Sequence, residues 1–229
     1  MTDYQGPQQR LRIEFALGER LKYISHLDLT RAWERAFRRA GLPLAYSQGF
    51  NPRPRFQIAA ALPVGISGQS ELLDVWLDEV LEPAAVLRRL RPALPEGLRV
   101  SAVSEVDLRQ ASLQSQMRAA DYRATVTGQE PAEAIRARIE ALLAAPAVLR
   151  QRHHKGRLQT YDLRPLIQEI EVTDGGDGPT GGMAEHVLEM RLQASPQGAG
   201  RPDEVLDALG LSLMPHRIER TKLHFEFDK

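Results

Sequence analysis

The 229-residue chain contains no cysteine. That excludes disulfides, thiolate zinc sites, a cysteine nucleophile and a cysteine-held iron–sulfur cluster from its own chemistry. It also lacks an excess of either charge. Thirty Lys and Arg stand against thirty Asp and Glu, so no global field draws the chain to nucleic acid or an anionic membrane, and such binding has to come from local patches. No apolar run approaches the roughly 20 residues that span a bilayer, and the opening Met-Thr-Asp-Tyr-Gln-Gly-Pro has no apolar core. A cytoplasmic location without membrane contact is the expectation. A His-Glu-x-x-His helix, a Walker loop, a dinucleotide glycine fingerprint and a nucleophile elbow are missing as well. Asp174-Gly175-Gly176-Asp177-Gly178 lacks the later ligands of a calcium loop and reads as a flexible turn. Neither metal nor cofactor is expected.

What is present is an ordinary globular composition, 42% apolar and 26% charged, long enough for two small domains. Arg12 to Leu17 alternates as a half-buried strand does and ends at Gly18. Ser25 and Asp28 resemble a capping box, and Leu29, Trp33, Ala36, Phe37 and Ala40 recur on one helical face until Gly41 and Pro43 stop the run. Extended segments follow at 44–46 and 56–61, a turn at 62–65, a strand at 71–77, a helix opened by Pro83, and a strand at 98–103. The order is β-α-β-β-α-β, the split βαβ or ferredoxin-like arrangement.

Residues 107–120 are polar and aperiodic and read as a connection. A second β-α-β-β-α-β order then runs from a strand at 122–126 and a helix opened by Pro131, through extended segments at 147–152 and 159–172 and a glycine-rich, mobile loop at 173–182, to a strand at 187–192, a helix at 202–209 and a last strand at 218–227. The expected fold is α+β, with tandem ferredoxin-like units and antiparallel sheets: residues 1–106, a connection 107–120, and 121–229. An irregular single α+β domain is the alternative.

Three groups of residues could carry chemistry. Ser47-Gln48-Gly49-Phe50-Asn51-Pro52-Arg53-Pro54-Arg55 is a stiffened loop that leaves the forks of Arg53 and Arg55 standing on a fixed backbone. This suits phosphate or carboxylate ligands, and it equally suits a rigid turn between strands. On the first helix Arg31, Arg35 and Arg38, with Arg39 beside them, form a cationic face that Glu34 partly offsets through an i,i+4 pair with Arg38. A solvated helix surface has the same pattern. If loop and helix meet, Tyr46 and Phe50 interleave aromatic faces among the cations, a combination suited to phosphates and stacked bases.

The third group is Arg150, Arg152, His153, His154, Lys155 and Arg157, with no acid before Asp162. It reads as a cationic hairpin tip for RNA or an acidic partner, or as a solvated tip. His153 and His154 are adjacent and cannot easily share a metal on a strand. His26, beside the helix cap, is a candidate general base or a capping-turn histidine with a structural hydrogen bond.

Ser25-His26-Leu27-Asp28, Arg31, the continuous run from Arg38 to Pro54, Leu62-Pro63-Val64-Gly65 with Ser70-Glu71, and a later block of Lys155-Gly156 and Asp162-Leu163-Arg164-Pro165-Leu166-Ile167 resemble the radical SAM-associated, or radical SAM-linked, bacterial family. The resemblance covers nearly the whole chain. Members of that family occur free beside a radical SAM protein or fused to its C-terminal end, often near genes for an E/G-type ribonuclease and ribosomal proteins. The resemblance therefore implies a separately encoded radical enzyme as partner, which would own the cluster that a cysteine-free chain cannot hold. It carries over no catalytic residue. By fold analogy alone, the tandem order also looks like the repeat-processing endoribonucleases of the RAMP group.

The leading expectation is a non-catalytic accessory protein that binds RNA or a ribonucleoprotein, such as a ribosome-related particle, and presents it to the radical enzyme. The alternatives are a metal-independent endoribonuclease using His26, His153 or His154 as base, and a purely structural partner of that enzyme.

Overall fold

Alternation from Gln9 onward puts Leu11, Ile13 and Phe15 on one face of the first strand, all fully buried. The computed structural model describes residues 6–154, 157–177 and 183–226, with the side chains of 153, 154, 157, 174, 175 and 177 outside that description. The chain divides into two compact units, Met1–Gln116 and Met117–Lys229. Both mix helices with antiparallel sheet.

In the first unit β1 (Gln9–Leu17) is followed by α1 (His26–Arg39), β2 (Phe56–Ile58), β3 (Ile66–Leu77), α2 (Pro83–Leu90) and β4 (Leu98–Val106). The sheet order is β2-β3-β1-β4, every pair antiparallel, with Ile13 opposite Leu73 on one side and Val103 on the other. Helix α1 starts where the sequence places it. The Ser25 Oγ accepts the Asp28 N–H at 3.1 Å and donates its own proton to the Asp28 carboxylate at 2.7 Å. It ends on Gly41 at φ +62°, where the Gly41 N–H reaches the Arg38 carbonyl and the Leu42 N–H the Phe37 carbonyl. That pairing satisfies two carbonyls the helix would otherwise leave open.

The apolar face of α1 docks Trp33 edge-on against Phe15, with ring centroids 5.1 Å apart, and Phe37 edge-on against Phe56 at 5.4 Å. Such rings bury a large apolar area at favourable quadrupole geometry. The polar face of α1 is thereby turned outward.

Alternation places Arg10, Arg12, Asp74 and Trp76 on the opposite face of β1 and β3. Asp74 accepts from Arg10 Nη2 at 2.5 Å and Arg12 Nε at 2.9 Å, all three nearly or fully buried. Arg10 also donates to the carbonyls of Gln110 and Ala111, and Gln114 donates to the Ile58 carbonyl. A buried guanidinium left without its acid costs about 3–5 kcal/mol, so this network ties the segment after β4, including α3 (Leu113–Gln116), to the first unit. The connection expected at 107–120 is thus corrected: residues 107–116 pack with the first unit and 117–120 already belong to a strand.

That strand is β5 (Met117–Gly128). Then come α4 (Ala132–Ala144), β6 (Leu149–His154), β7 (Arg157–Asp162), β8 (Ile167–Asp177), β9 (Ala184–Ser195), the short β10 (Gly198–Ala199), α5 (Pro202–Ala208) and β11 (His216–Phe225). The sheet of the second unit runs β8-β9-β5-β11, antiparallel throughout, with β10 also pairing β9. Strands β6 and β7 form a separate hairpin. The glycine-rich stretch read as a loop from Thr173 is corrected as well. Through Asp177 it is the end of β8, pairing with β9 across a bulge between Asp174 and Asp177, and 178–182 lie outside the described residues.

The two units share a plan. Each sheet has its fourth long strand beside its first, then the third, then the second, leaving the hairpin and β10 aside. In each, the stretch between the first helix and the second strand makes a hairpin-like excursion: residues 44–55 in one, β6 and β7 in the other. Arg53 and Arg55 sit on the first of these excursions and Arg150 and Arg152 on the second, while Arg31, Arg35, Arg38 and Arg39 lie on α1. Among the described residues no helix is long and apolar enough to cross a membrane.

Candidate functional site

The excursion after α1 is held by backbone pairs on both sides. The Ala45 N–H donates to the Trp76 carbonyl on β3 and the Ala45 carbonyl accepts from the Arg55 N–H, the Ser47 N–H reaches the Arg53 carbonyl at 2.9 Å, and the Arg53 N–H returns to the Ser47 Oγ at 3.1 Å. The tip passes through Gly49 at φ +134°, a conformation that L side chains seldom adopt. Pro52 and Pro54 flank Arg53, so this side chain leaves a backbone with few alternatives.

This loop and α1 do meet. Together they form a cleft of about 660 Å³ with Arg31, Glu34 and Arg38 on the helix side and Tyr46 and Arg53 on the loop side. Thr30, Leu27, Pro52 and Pro54 complete its walls. Arg31 leans on Asp28 at 3.4 Å. Arg38 and Arg53 make no ion pair with any described residue, and the Glu34–Arg38 pair expected from their i,i+4 spacing does not form. Two uncommitted guanidinium forks, a half-exposed phenol ring and an unpaired carboxylate therefore share one concavity.

The other first-unit candidates stand outside it. Arg35 and Arg39 are exposed on the neighbouring strip of α1, and Phe50 is wholly exposed at the loop tip. Arg55 turns away and lays its guanidinium over the Trp76 ring, 4.9 Å from the centroid. His26 is the first residue of α1, exposed, with no described residue hydrogen-bonding its ring.

The second basic cluster proves different in kind. In the β6–β7 register Arg150 faces Tyr161 and Arg152 faces Gln159, so these four share one face of the hairpin, while Leu149, Gln151, Leu158 and Thr160 share the other and are exposed. Arg150 pairs with Asp207 of α5 at 3.3 Å, and the Arg152 guanidinium lies 4.6 Å from the Tyr161 ring centroid. Burial, with the Asp207 charge, pushes the Glu204 carboxyl of α5 above its ordinary range, against the pull of Arg152 and Arg150. Asp207, far off in sequence, thus pairs with Arg150, one of the cations that no nearby acid offsets. The side chains of His153, His154 and Arg157, and all of Lys155, lie outside the described residues.

One group was missed altogether. On β5, β9 and β11, Asp121 takes Arg191 Nε at 2.7 Å and Nη2 at 3.2 Å and shares a 2.7 Å bond with His224 Nε2, while Arg191 also reaches Glu169 on β8. Burial would raise the Asp121 carboxyl, but the hydrogen bonds from Arg191 and His224 and their charges outweigh it and hold it below its usual value. This row borders a second cleft of about 470 Å³. Register alone brings these residues together, and no local spacing announces it. Among the described residues, no three His, Asp or Glu are placed to hold a metal ion.

A fold of two antiparallel α+β units, the first with a cationic cleft, defines the class. The chain belongs to a bacterial family of uncharacterized conserved proteins (DUF2344), whose profile matches residues 10–202. No curated protein matches it. Among solved structures it is similar to an unknown protein from Galdieria sulphuraria, with 15% identity, 93% of this chain and 98% of that one covered, and a TM-score of 0.27. It is also similar to ferric DtpA from Streptomyces lividans, with 14% identity, 96% and 88% covered, and a TM-score of 0.25. At scores this low neither likeness bears on fold or chemistry.

Proposed function

We propose that this chain is a cytoplasmic accessory protein of two ferredoxin-like units that binds RNA through the cleft between α1 and the 44–55 loop, and presents it to a radical SAM enzyme encoded separately. The observation that carries the RNA reading is the pair of uncommitted forks, Arg38 and Arg53, in one cleft with the half-exposed ring of Tyr46. Guanidinium forks match phosphate oxygens and an accessible phenol ring offers a stacking face. The radical partner rests on the resemblance of the 25–54 block. The absence of cysteine accords with a cluster held by that partner. The hydrolytic alternative has less support, because the His26 ring has no described residue to orient it as a base.

The test is salt-dependent binding of a single-stranded RNA. Replacing Arg38 and Arg53 together by Ala removes two phosphate contacts, which lowers the slope of log affinity against log salt by about 1.4, at about 0.7 per contact. An unchanged slope and affinity removes the cleft from RNA binding.

A further inference from the structure

The RNA reading of the cleft leaves one of its groups without a task. Glu34 is a half-buried carboxylate on the cleft wall, three residues after Arg31 and four before Arg38. Helix geometry makes both its neighbours. Yet Arg31 turns to Asp28, and neither Arg38 nor any other described residue pairs with Glu34. If the cleft served only to hold phosphate, a carboxylate there would repel the ligand and weaken it. An acceptor kept free among donors is instead suited to a ligand that brings donors of its own.

We infer that the cleft takes one splayed-out guanine nucleotide of a single-stranded RNA, with Glu34 accepting from the base and Arg38 and Arg53 on the flanking phosphates. This rests on the RNA reading above and adds the base. Guanine alone among the four bases presents two adjacent donors, N1–H and the 2-amino group, matching the two oxygens of a carboxylate. Adenine and cytosine put a lone pair beside their amino group, and uracil flanks its one N–H with two carbonyls, so each sets an acceptor against Glu34. Arg31, on the same wall, has the fork that pairs with guanine O6 and N7. Tyr46, 41% exposed at the cleft, supplies a face for the ring. The volume of about 660 Å³ lies within the range of about 300–1,000 Å³ usual for small-ligand pockets.

The test uses the intact protein and fluorescein-labelled oligoadenylates carrying one central guanosine, inosine, cytidine or uridine, with the all-adenosine strand as reference. The guanosine strand binds about 5- to 150-fold more tightly than the reference, the discrimination that a good bidentate pair provides. Inosine, which keeps N1–H and lacks the 2-amino group, falls between them. Glu34→Gln, near in shape, loses most of the preference for guanosine, and an unchanged melting curve shows that it folds. RNA binding with no preference for guanosine overturns the guanine assignment and leaves the RNA reading standing. A preference that survives in Glu34→Gln overturns the role of Glu34. No binding of any strand overturns the RNA reading, and the inference with it.

Discussion

Ser47 and Arg53 clasp each other across the loop tip, the Ser47 N–H on the Arg53 carbonyl at 2.9 Å and the Arg53 N–H on the Ser47 Oγ at 3.1 Å. The side-chain half of that clasp fixes the residue whose guanidinium enters the cleft. Cation and serine are thus one device, with the serine limiting the directions the arginine takes.

Ser47→Ala removes only the Oγ acceptor. At an exposed site one hydrogen bond of this kind contributes about 0.5–1 kcal/mol, so the unfolding midpoint falls slightly. Amide exchange at Arg53 quickens, and RNA affinity drops less than in Arg53→Ala, since the charge remains but its geometry loosens. Exchange at Arg53 equal to that of the wild type would show that the backbone pair alone holds the loop.

The hairpin cations behave differently. Arg150 is engaged by Asp207, and Arg152 by the Tyr161 ring. Replacing both by Ala lowers stability, by about 0.5–1 kcal/mol for the partly exposed ion pair, and leaves the salt slope of RNA binding as it was. A shallower slope with unchanged stability would return this hairpin to the nucleic-acid surface.

How legible these features were in the sequence followed how local their causes are. The start and the stop of helix α1 were legible because its cap, Ser25, and the glycine that ends it, Gly41, act over a few bonds. The strand and helix order of the first unit was legible from periodicity for the same reason. The cleft was legible in part: Arg31, Arg38, Tyr46 and Arg53 were candidates, but spacing could not say that Arg55 would leave for Trp76, or that Glu34 would stand unpaired. Contacts across long sequence separations left no local trace. Asp207 against Arg150, His224 against Asp121, and the Gln110 carbonyl against Arg10 all depend on strand register or on a segment folding back. The glycines after Thr173 misled for another reason, since strand pairing uses the backbone and needs no side chain.

Two carboxyls of the second unit respond to acid with opposite sign. Asp121 is held below its ordinary value of 3.8 by Arg191 and His224, which face it from β9 and β11, with Glu169 beyond Arg191 on β8. A depressed folded-state value contributes stability that is complete above the unfolded value and is lost as pH falls through the folded one. Asp121→Asn is therefore less stable than the wild type at neutral pH, and the gap closes in acid. Glu204 is raised above 4.5 by burial and by Asp207, in spite of Arg152 and Arg150. A raised value means a contribution that is complete below 4.5 and is lost as pH rises through the folded value, so Glu204→Gln gains on the wild type toward neutral pH. Urea midpoints of the three proteins from about pH 7 to about pH 3 separate the two effects. Parallel curves for Asp121→Asn and the wild type would show that the Arg191 and His224 contacts do not hold that charge in solution, and parallel curves for Glu204→Gln would show the same of the burial of Glu204 beneath the hairpin.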